Sequence, residues 1–347
     1  MSQSALGRAT FARQAPQLSI RGAAVAPRRL GPLLLCCACL IPSSPMLARG
    51  AGLEAFAGAV GGSSSCVTFG PPPPIGNFFG SAGFAVGTTG NGISDCGLQG
   101  GIQDVNQSVG PLSSPPQSVN APIPGGGTFN GSANGTANYG NIGASVSGQM
   151  TGITGPLVFS EAAGFGLFDD MLTITSPSHA TGSSGGVQFT FTVSGSIATP
   201  SSNTMFATSA DALLKLVVAG GSQNIFHATV FPTSGTVPAC SGNTAGLTIG
   251  AASISGSATC GSIFFPFQYG VPFEIKGGLL VQAFPDTSGN VTGNMSAALM
   301  GIDVSGETNF TVSGSSGTIY PVPEPCTVTL LALGLVLLLN RTRRGSV

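Results

Sequence analysis

Charged residues are scarce in this chain of 347 residues, where they make up 7%, against about 25% in an ordinary globular domain. Tryptophan is absent, and there are only two histidines and three tyrosines. So little charge argues against a cytosolic protein that stays soluble through surface ions. Because 42% of the residues are hydrophobic, general disorder is also excluded. We expect glycine, of which there are 54, with serine, threonine and asparagine, to supply the polar surface.

Basic residues are nearly missing from the middle of the chain. Nine of the eleven lie near the two ends, and only Lys215 and Lys276 occur between positions 50 and 322. Because these two lysines stand against eleven acids in the same span, its net charge is −9. Such a body has no basic patch that would neutralise phosphates. We therefore do not expect nucleic acid as a partner.

Residues typical of catalysis are few. His227 lies in an alternating pattern and is expected on a strand face, and His179 is the only other histidine. Residues 182–186 match Gly-x-Ser-x-Gly, but that motif needs a helix after it, and here a strand pattern follows. Asp169 and Asp170 are adjacent, as in glycosidase or calcium sites, although a solvated turn is the interpretation we favour. We predict no catalytic residue and no cofactor.

An apolar run follows basic residues near the N-terminus. Arg28 and Arg29 precede the apolar residues 30–41, and small and turn-forming residues lead to a cleavage position near Ala48. This order is typical of a secretory signal. We expect residues 1–48 to be a signal peptide that directs the chain to the Sec export machinery. A lipidated Cys39 and a twin-arginine signal are the alternatives.

Three features follow one another at the C-terminus. Val322, Pro323, Glu324 and Pro325 form a motif that proline keeps extended. An apolar stretch at 330–339 is shorter than the roughly 17–25 residues of a usual span. The chain closes with a basic cluster that would stay on the cytoplasmic side and leave the body outside, namely Arg341, Arg343 and Arg344.

This tail resembles the PEP-CTERM sorting tail of exosortase substrates in Gram-negative bacteria. The resemblance covers residues 322–344, and the Ser-Gly-x-x-Tyr step at 316–320 also resembles other such precursors. It implies that an exosortase-type processing enzyme recognises the motif and removes the helix, so that no transmembrane segment remains. The protein would pass through the inner membrane to the cell surface or beyond. Cys326 departs from the Ser or Ala more usual there, and an uncleaved anchor is the alternative.

Alternating apolar and polar residues predict strands after residue 128. We therefore expect an all-β domain over residues 128–320, an antiparallel sandwich or jelly roll. Residues 49–127 are rich in glycine and proline, and we expect an irregular segment with short strands around Phe78, Phe84 and Val86. Gly277-Gly278 and Gly242-Asn243 are expected turns. The predicted strands are 171–175, 187–194, 212–218, 224–231, 246–254, 263–268, 273–276, 279–284, 295–304 and 308–312.

Four cysteines belong to the exported body: Cys66, Cys96, Cys240 and Cys260. An even number in an exported chain favours disulfides. Three connectivities are open, and we favour the local pairs Cys66–Cys96 and Cys240–Cys260. Because Cys-x-x-Cys spacing and neighbouring histidines are lacking, we predict no metal site.

Taken together, these patterns favour an exported structural or interaction protein of the surface or extracellular matrix. Exosortase systems accompany exopolysaccharide production, so the resemblance implies a role linked to exopolysaccharide or biofilm. One alternative is a ligand-binding β module for polysaccharide or ice, with Thr190 and Thr192 on one face. Another is a membrane-anchored surface domain of unknown ligand.

Overall fold

The computed structural model describes residues 51–62, 78–79, 98–123, 126–152, 160–200, 208–232, 234–235, 238–285 and 289–322. The predicted signal peptide and nearly all of the predicted sorting tail lie outside these ranges. Within them the chain forms nineteen β-strands. No helix in the described part is long and apolar enough to cross a membrane.

Every strand pairs antiparallel with its neighbours. In chain order the strands are β1 (Gly52–Gly62), β2 (Leu98–Gln107), β3 (Leu112–Ser113), β4 (Gln117–Ile123), β5 (Gly127–Asn138), β6 (Asn141–Thr151), β7 (Ser160–Thr175), β8 (Ser184–Ala198), β9 (Ser209–Val218), β10 (Gly221–Phe231), β11 (Ser234–Gly235), β12 (Ala239–Cys240), β13 (Gly242–Asn243), β14 (Leu247–Ile249), β15 (Ser253–Gly261), β16 (Phe265–Gln268), β17 (Phe273–Phe284), β18 (Asn290–Val304) and β19 (Thr311–Gly314).

The strands form two sheets. Sheet 1 has the order β11-β10-β9-β17-β7-β1-β2, with β12 beside β10 and β19 beside β7. Sheet 2 has the order β13-β15-β8-β18-β6-β5-β3, with β14 beside β15, β16 beside β8 and β4 beside β5. The inner faces of the two sheets pack on each other, as in a β-sandwich. The predicted all-β class with antiparallel sheets is therefore confirmed.

The strand with the clearest sequence pattern behaves as predicted. In β8, Val187, Phe189, Phe191 and Val193 are fully buried, and the residues between them point outward. Side chains alternate between the two faces of a strand, so the apolar positions of β8 all reach the core. The large buried side chains of β7, β9 and β17 meet them from sheet 1.

The glycine-rich segment before residue 128 is not irregular where it is described. β1 lies between β7 and β2 in sheet 1, and β4 pairs with β5 across the expected domain boundary. Phe78, expected in a short strand, is helical and buried, whereas Phe84 and Val86 fall outside the described residues. The prediction was wrong because β1 is built from small residues, which the sheet uses for close packing.

Close packing is visible where β7 crosses β5. A Cβ added at Gly135 would collide with the carbonyl oxygens of Phe165 and Phe56, and one added at Gly166 would collide with that of Thr136. Facing sheets usually lie about 10 Å apart with side chains between them. Here the absence of side chains lets backbone of one sheet touch backbone of the other.

Two expected turns and one expected strand were also wrong. Gly277 and Gly278 lie inside the continuous strand β17, where the rings of Phe168 and Phe78 fill the space that a Cβ would need. Gly242 and Asn243 form β13. The predicted strand 246–254 is a hairpin of β14 and β15. At Gly242, Gly277 and Gly278 glycine provides space for a neighbour and does not end the strand, whereas β14 ends directly before Gly250.

A disulfide joins the two sheets. Cys240 on β12 belongs to sheet 1, Cys260 on β15 belongs to sheet 2, and their Cα atoms are 5.3 Å apart. This pairing was predicted and is confirmed. Cys66 and Cys96 lie outside the described residues.

Candidate functional site

The outer face of sheet 2 is covered by hydroxyl and amide groups. The strand register aligns Asn120, Asn130, Gln149 and Asn290 in one row across β4, β5, β6 and β18. We call this surface the hydroxyl face. Its polar residues are Ser118, Asn120, Thr128, Asn130, Ser132, Asn134, Thr136, Ser145, Ser147, Gln149, Thr151, Thr190, Thr192, Ser194, Ser196, Ser253, Ser255, Ser257, Thr259, Asn290, Thr292, Asn294 and Ser296.

Cross-strand hydrogen bonds hold several of these hydroxyls in position. The Oγ atoms of Ser132 and Ser147 are 2.8 Å apart, and those of Ser194 and Ser296 are 3.0 Å apart. Among the described strands of sheet 2 the only acidic or basic residue is Asp303, which is exposed beyond the end of this face, opposite Gln188. The face is therefore an ordered and uncharged array of donors and acceptors.

A shallow groove runs across this array. Its volume is about 430 Å³, and Asn120, Asn130, Gln149 and Asn290 line it together with Ser132 and Ser147. Hydroxyls and amides both donate and accept hydrogen bonds. The groove can therefore bind a neutral ligand that presents many hydroxyl groups.

The outer face of sheet 1 has a different character, because both lysines of the chain meet there. Lys215 on β9 and Lys276 on β17 line a cleft of about 780 Å³ with Glu54, Asp169, Phe78 and Leu167. We call it the lysine cleft. Sequence reasoning missed it, since only the pairing of β9 with β17 brings together lysines that are far apart in the chain.

Lys276 is an ion-paired residue. Its Nζ lies 2.8 Å from a carboxylate oxygen of Glu274 and 3.2 Å from one of Asp169. Partial burial acts to lower the pKa of Lys276, but these two acids outweigh burial and raise it. Lys276 therefore stays charged, and its charge is balanced within the cleft.

Lys215 has different partners. Its Nζ donates to the backbone oxygen of Phe78 and lies 5.6 Å from the centre of the Phe78 ring. Among the described residues no carboxylate lies within ion-pair distance of this ammonium. A half-buried positive charge thus lines the cleft, and the described part of the chain gives it no acidic partner.

Glu54 is a buried acid at the opposite end of the cleft. It is 4% exposed, and its Oε1 has no hydrogen-bond partner. Burial, and next to it the neighbouring Asp104 carboxyl, raises the pKa of Glu54 from 4.5 to about 8. Burial also raises the pKa of Asp104. The pair therefore binds protons at neutral pH that exposed acids would have lost.

The sequence suggested a solvated turn at Asp170, and this prediction was wrong. It is fully buried within β7 and accepts hydrogen bonds from the hydroxyls of Ser315, Ser316 and Tyr320. The backbone N–H of Ser316 donates to it as well. These bonds attach the segment that precedes Val322, the last described residue, to the middle of sheet 1.

In the described part of the chain, the two histidines do not hydrogen-bond to the serines of the Gly-x-Ser-x-Gly match. His179 stacks on Tyr269 at 4.3 Å, and its Nε2 lies 3.4 Å from Glu307. Ser176 Oγ donates to the same Glu307 oxygen at 2.9 Å, so both groups meet one acid. Ser184 opens β8, the strand expected after the match. His227 is exposed and lies opposite Leu213.

Several predicted sites lie outside the described residues, namely Pro323, Glu324, Pro325, Arg341, Arg343 and Arg344. Within the described residues, no group of three or more His, Cys, Asp or Glu could hold a metal ion. A scan against protein-family models, a search of curated proteins and a search of solved structures each gave no match. What the chain does is therefore inferred from the hydroxyl face, the lysine cleft and the sequence of its two ends.

Proposed function

We propose that this chain is an exported, exosortase-processed protein of the cell surface or extracellular matrix, and that it contacts exopolysaccharide through its β domain. The single observation that carries the proposal is the hydroxyl face, an ordered array without ionisable groups. A structural role of this kind needs a broad adhesive surface and no reaction centre.

The chemistry of the hydroxyl face fits a polysaccharide. Sugar hydroxyls donate and accept hydrogen bonds, as do the serine, threonine and asparagine side chains of the face. The groove along the Asn120–Asn290 row offers a place for one chain of linked sugars. Because these side chains are short and sit on strands, ordering them on binding costs little conformational entropy.

Export is supported by two further features. The Cys240–Cys260 bridge is of a kind that persists in oxidising compartments outside the cytosol. The sequence from Val322 to Arg344 resembles a sorting tail, as described above. An uncharged adhesive surface and a removable anchor together suit a protein that is released into a polysaccharide matrix.

Co-sedimentation with the insoluble exopolysaccharide of the producing strain tests the contact. The variant Asn130→Leu, Asn290→Leu, Thr292→Val removes hydrogen-bonding groups from the groove and from the hydroxyl face beside it, and it keeps the side-chain shapes. Each lost bond is worth about 0.5–1.5 kcal/mol, so we expect at least a 10-fold weaker association. The control is Thr173→Val, the same exchange on the outer side of sheet 1. Equal binding by both variants would refute the contact.

The processing step is tested by intact mass and localisation in the native type of host, with and without its exosortase. We expect a mature form that ends near Pro325 and leaves the membrane only when the enzyme is present. If the full tail persists in both strains, the protein is a membrane-anchored surface domain, and the inferred link to exopolysaccharide loses its main support.

Ice is a second candidate ligand, because Thr192 and Thr259 lie side by side on the uncharged face. Against it, rows of threonine are not sustained, and serine, asparagine and glycine occupy most neighbouring positions. A thermal-hysteresis assay separates the two ligands. Thermal hysteresis together with no co-sedimentation would favour ice.

A further inference from the structure

The lysine cleft holds two polar groups that the described residues satisfy only in part. The Lys215 ammonium donates to the Phe78 backbone oxygen but has no carboxylate partner among them, and Glu54 Oε1 is buried without a hydrogen bond. A buried polar atom without a partner costs about 1–3 kcal/mol. An ammonium without an acidic partner and an unpartnered buried oxygen that line one cleft indicate that the cleft is shaped for a ligand.

The register sets the distance between these groups. Lys215 pairs with Gly278, Gly278 with Leu167, and Leu167 with Glu54, so the two polar residues lie in one row on β9 and β1. Three strand spacings separate them, which is about 14 Å between Cα atoms. Both residues line the same cleft, and the length of two linked sugar rings matches the distance between them.

The floor and wall between the two ends are apolar. Leu167 and Phe78 line the cleft between Lys215 and Glu54, and the volume of about 780 Å³ falls in the range of small-molecule sites. Sugar rings present C–H faces that pack on such groups. Asn106 and Ser108 at the edge of the cleft offer further hydrogen bonds to hydroxyls.

We propose that the lysine cleft binds a disaccharide unit that carries a carboxylate, with the carboxylate at Lys215 and a hydroxyl donating to Glu54. A uronic acid unit has this chemistry. The inference rests on the proposed function in that it takes an extracellular polysaccharide as the source of the unit. It concerns a different surface from the hydroxyl face, so either proposal can be refuted while the other stands.

A single carboxylate fits the charges of the cleft better than a phosphate does. The charges of the two lysines and of Asp169 and Glu274 sum to zero, so every negative charge that a ligand brings adds repulsion from these two acids. A doubly charged phosphate would meet these acids and gain one ion pair. A sugar carboxylate gains the same ion pair with half the repulsion.

Calorimetric titration of the purified exported protein with cellobiouronic acid, a disaccharide that carries one carboxylate, and with its methyl ester, tests the proposal. We expect wild-type protein to bind the acid at least about 10-fold more tightly than the ester. Lys215→Met should remove that preference, and Lys215→Arg should keep most of it. Glu54→Leu should weaken the binding of both probes, because it removes the oxygen that accepts the sugar hydroxyl.

Equal affinity of wild-type protein for acid and ester, or no binding of either, would overturn the proposal without any variant. An unchanged preference in Lys215→Met would overturn it as well. The co-sedimentation experiment with the hydroxyl-face variant reports on the proposed function independently. If wild-type protein does not co-sediment but still binds cellobiouronic acid, the hydroxyl face is contradicted and the cleft assignment stands.

Discussion

Glu54 is an acid that the fold keeps partly protonated at neutral pH. Its pKa lies above the ordinary 4.5, at about 8, so the folded chain holds more protons than the unfolded chain between these values. Stability therefore falls as pH rises through this window. Asp104 acts in the same direction, since its pKa is raised too.

We predict that Glu54→Gln flattens this dependence. The amide cannot lose a proton, so the variant should gain stability relative to wild type as pH rises from 4.5 toward 8. Urea unfolding across a pH series measures the effect. Asp303→Asn, which exchanges an exposed acid at the edge of sheet 2, should leave the slope unchanged. A slope that survives in Glu54→Gln would assign the effect to other groups.

Tyr320 is the buried donor that attaches the C-terminal segment to Asp170. Its hydroxyl lies 2.7 Å from Asp170 Oδ2, and burial, together with this carboxylate, raises its pKa well above the usual range. Hydrogen bonds to charged groups are worth about 1.5–3 kcal/mol. We expect Tyr320→Phe to lower the free energy of unfolding by about this amount.

Tyr139→Phe is the matched comparison for this variant. The Tyr139 hydroxyl donates to the backbone oxygen of Ser108 at 2.8 Å, and a bond to an uncharged group contributes about 0.5–1.5 kcal/mol. Denaturant unfolding of both variants should therefore show the larger loss for Tyr320→Phe. If the two losses are equal, Asp170 is not the centre that holds the segment before the tail.

At the scale of elements, the crossing of β5 and β7 depends on glycine. A methyl group at Gly166 would meet the carbonyl carbon and oxygen of Thr136, which belong to backbone and cannot rotate away. Overpacking of this kind costs about 1–3 kcal/mol. We expect Gly166→Ala to lower the melting temperature, and Gly301→Ala, where a Cβ has open space, to change it little. An unchanged melting temperature for Gly166→Ala would show that the sheets can separate there.

The strands that the sequence predicted differ physically from those it did not. β8 alternates between large apolar and polar side chains, because one side faces the core and the other solvent. In β1, β5 and β6, alanine and glycine occupy many of the core-facing positions. These core faces are only weakly hydrophobic, so the alternation is harder to recognise than in β8.

The two candidate binding surfaces were hidden for another reason. The hydroxyl face depends on which strands are neighbours, and Asn120 meets Asn290 through β5 and β6 only because of the sheet order. The lysine cleft likewise needs β9, β17 and β1 in one sheet. The two lysines were visible as the only cations of the body, but their meeting point was not. Sheet order is set by long-range pairing, which a local pattern does not encode.

At the scale of the whole molecule, the two sheets have separate roles and need a fixed relation to each other. Sheet 2 presents an uncharged array, and sheet 1 carries the ion pairs of Lys276 and the buried Asp170 network. Where β7 crosses β5, direct backbone contact holds the sheets together. Between β12 and β15 the Cys240–Cys260 bridge joins them. The bridge should therefore matter for the stability of the whole sandwich.

We predict that Cys240→Ala, Cys260→Ala and the double variant each lower the free energy of unfolding by about 3 kcal/mol, the value for a loop of this size. All three lack the bridge, so their losses should be similar and not additive. Denaturant unfolding of the three variants measures this. Additive losses would mean that the side chains act through packing alone, and then the two sheets would be held by their apolar core and the glycine contacts of β5 and β7.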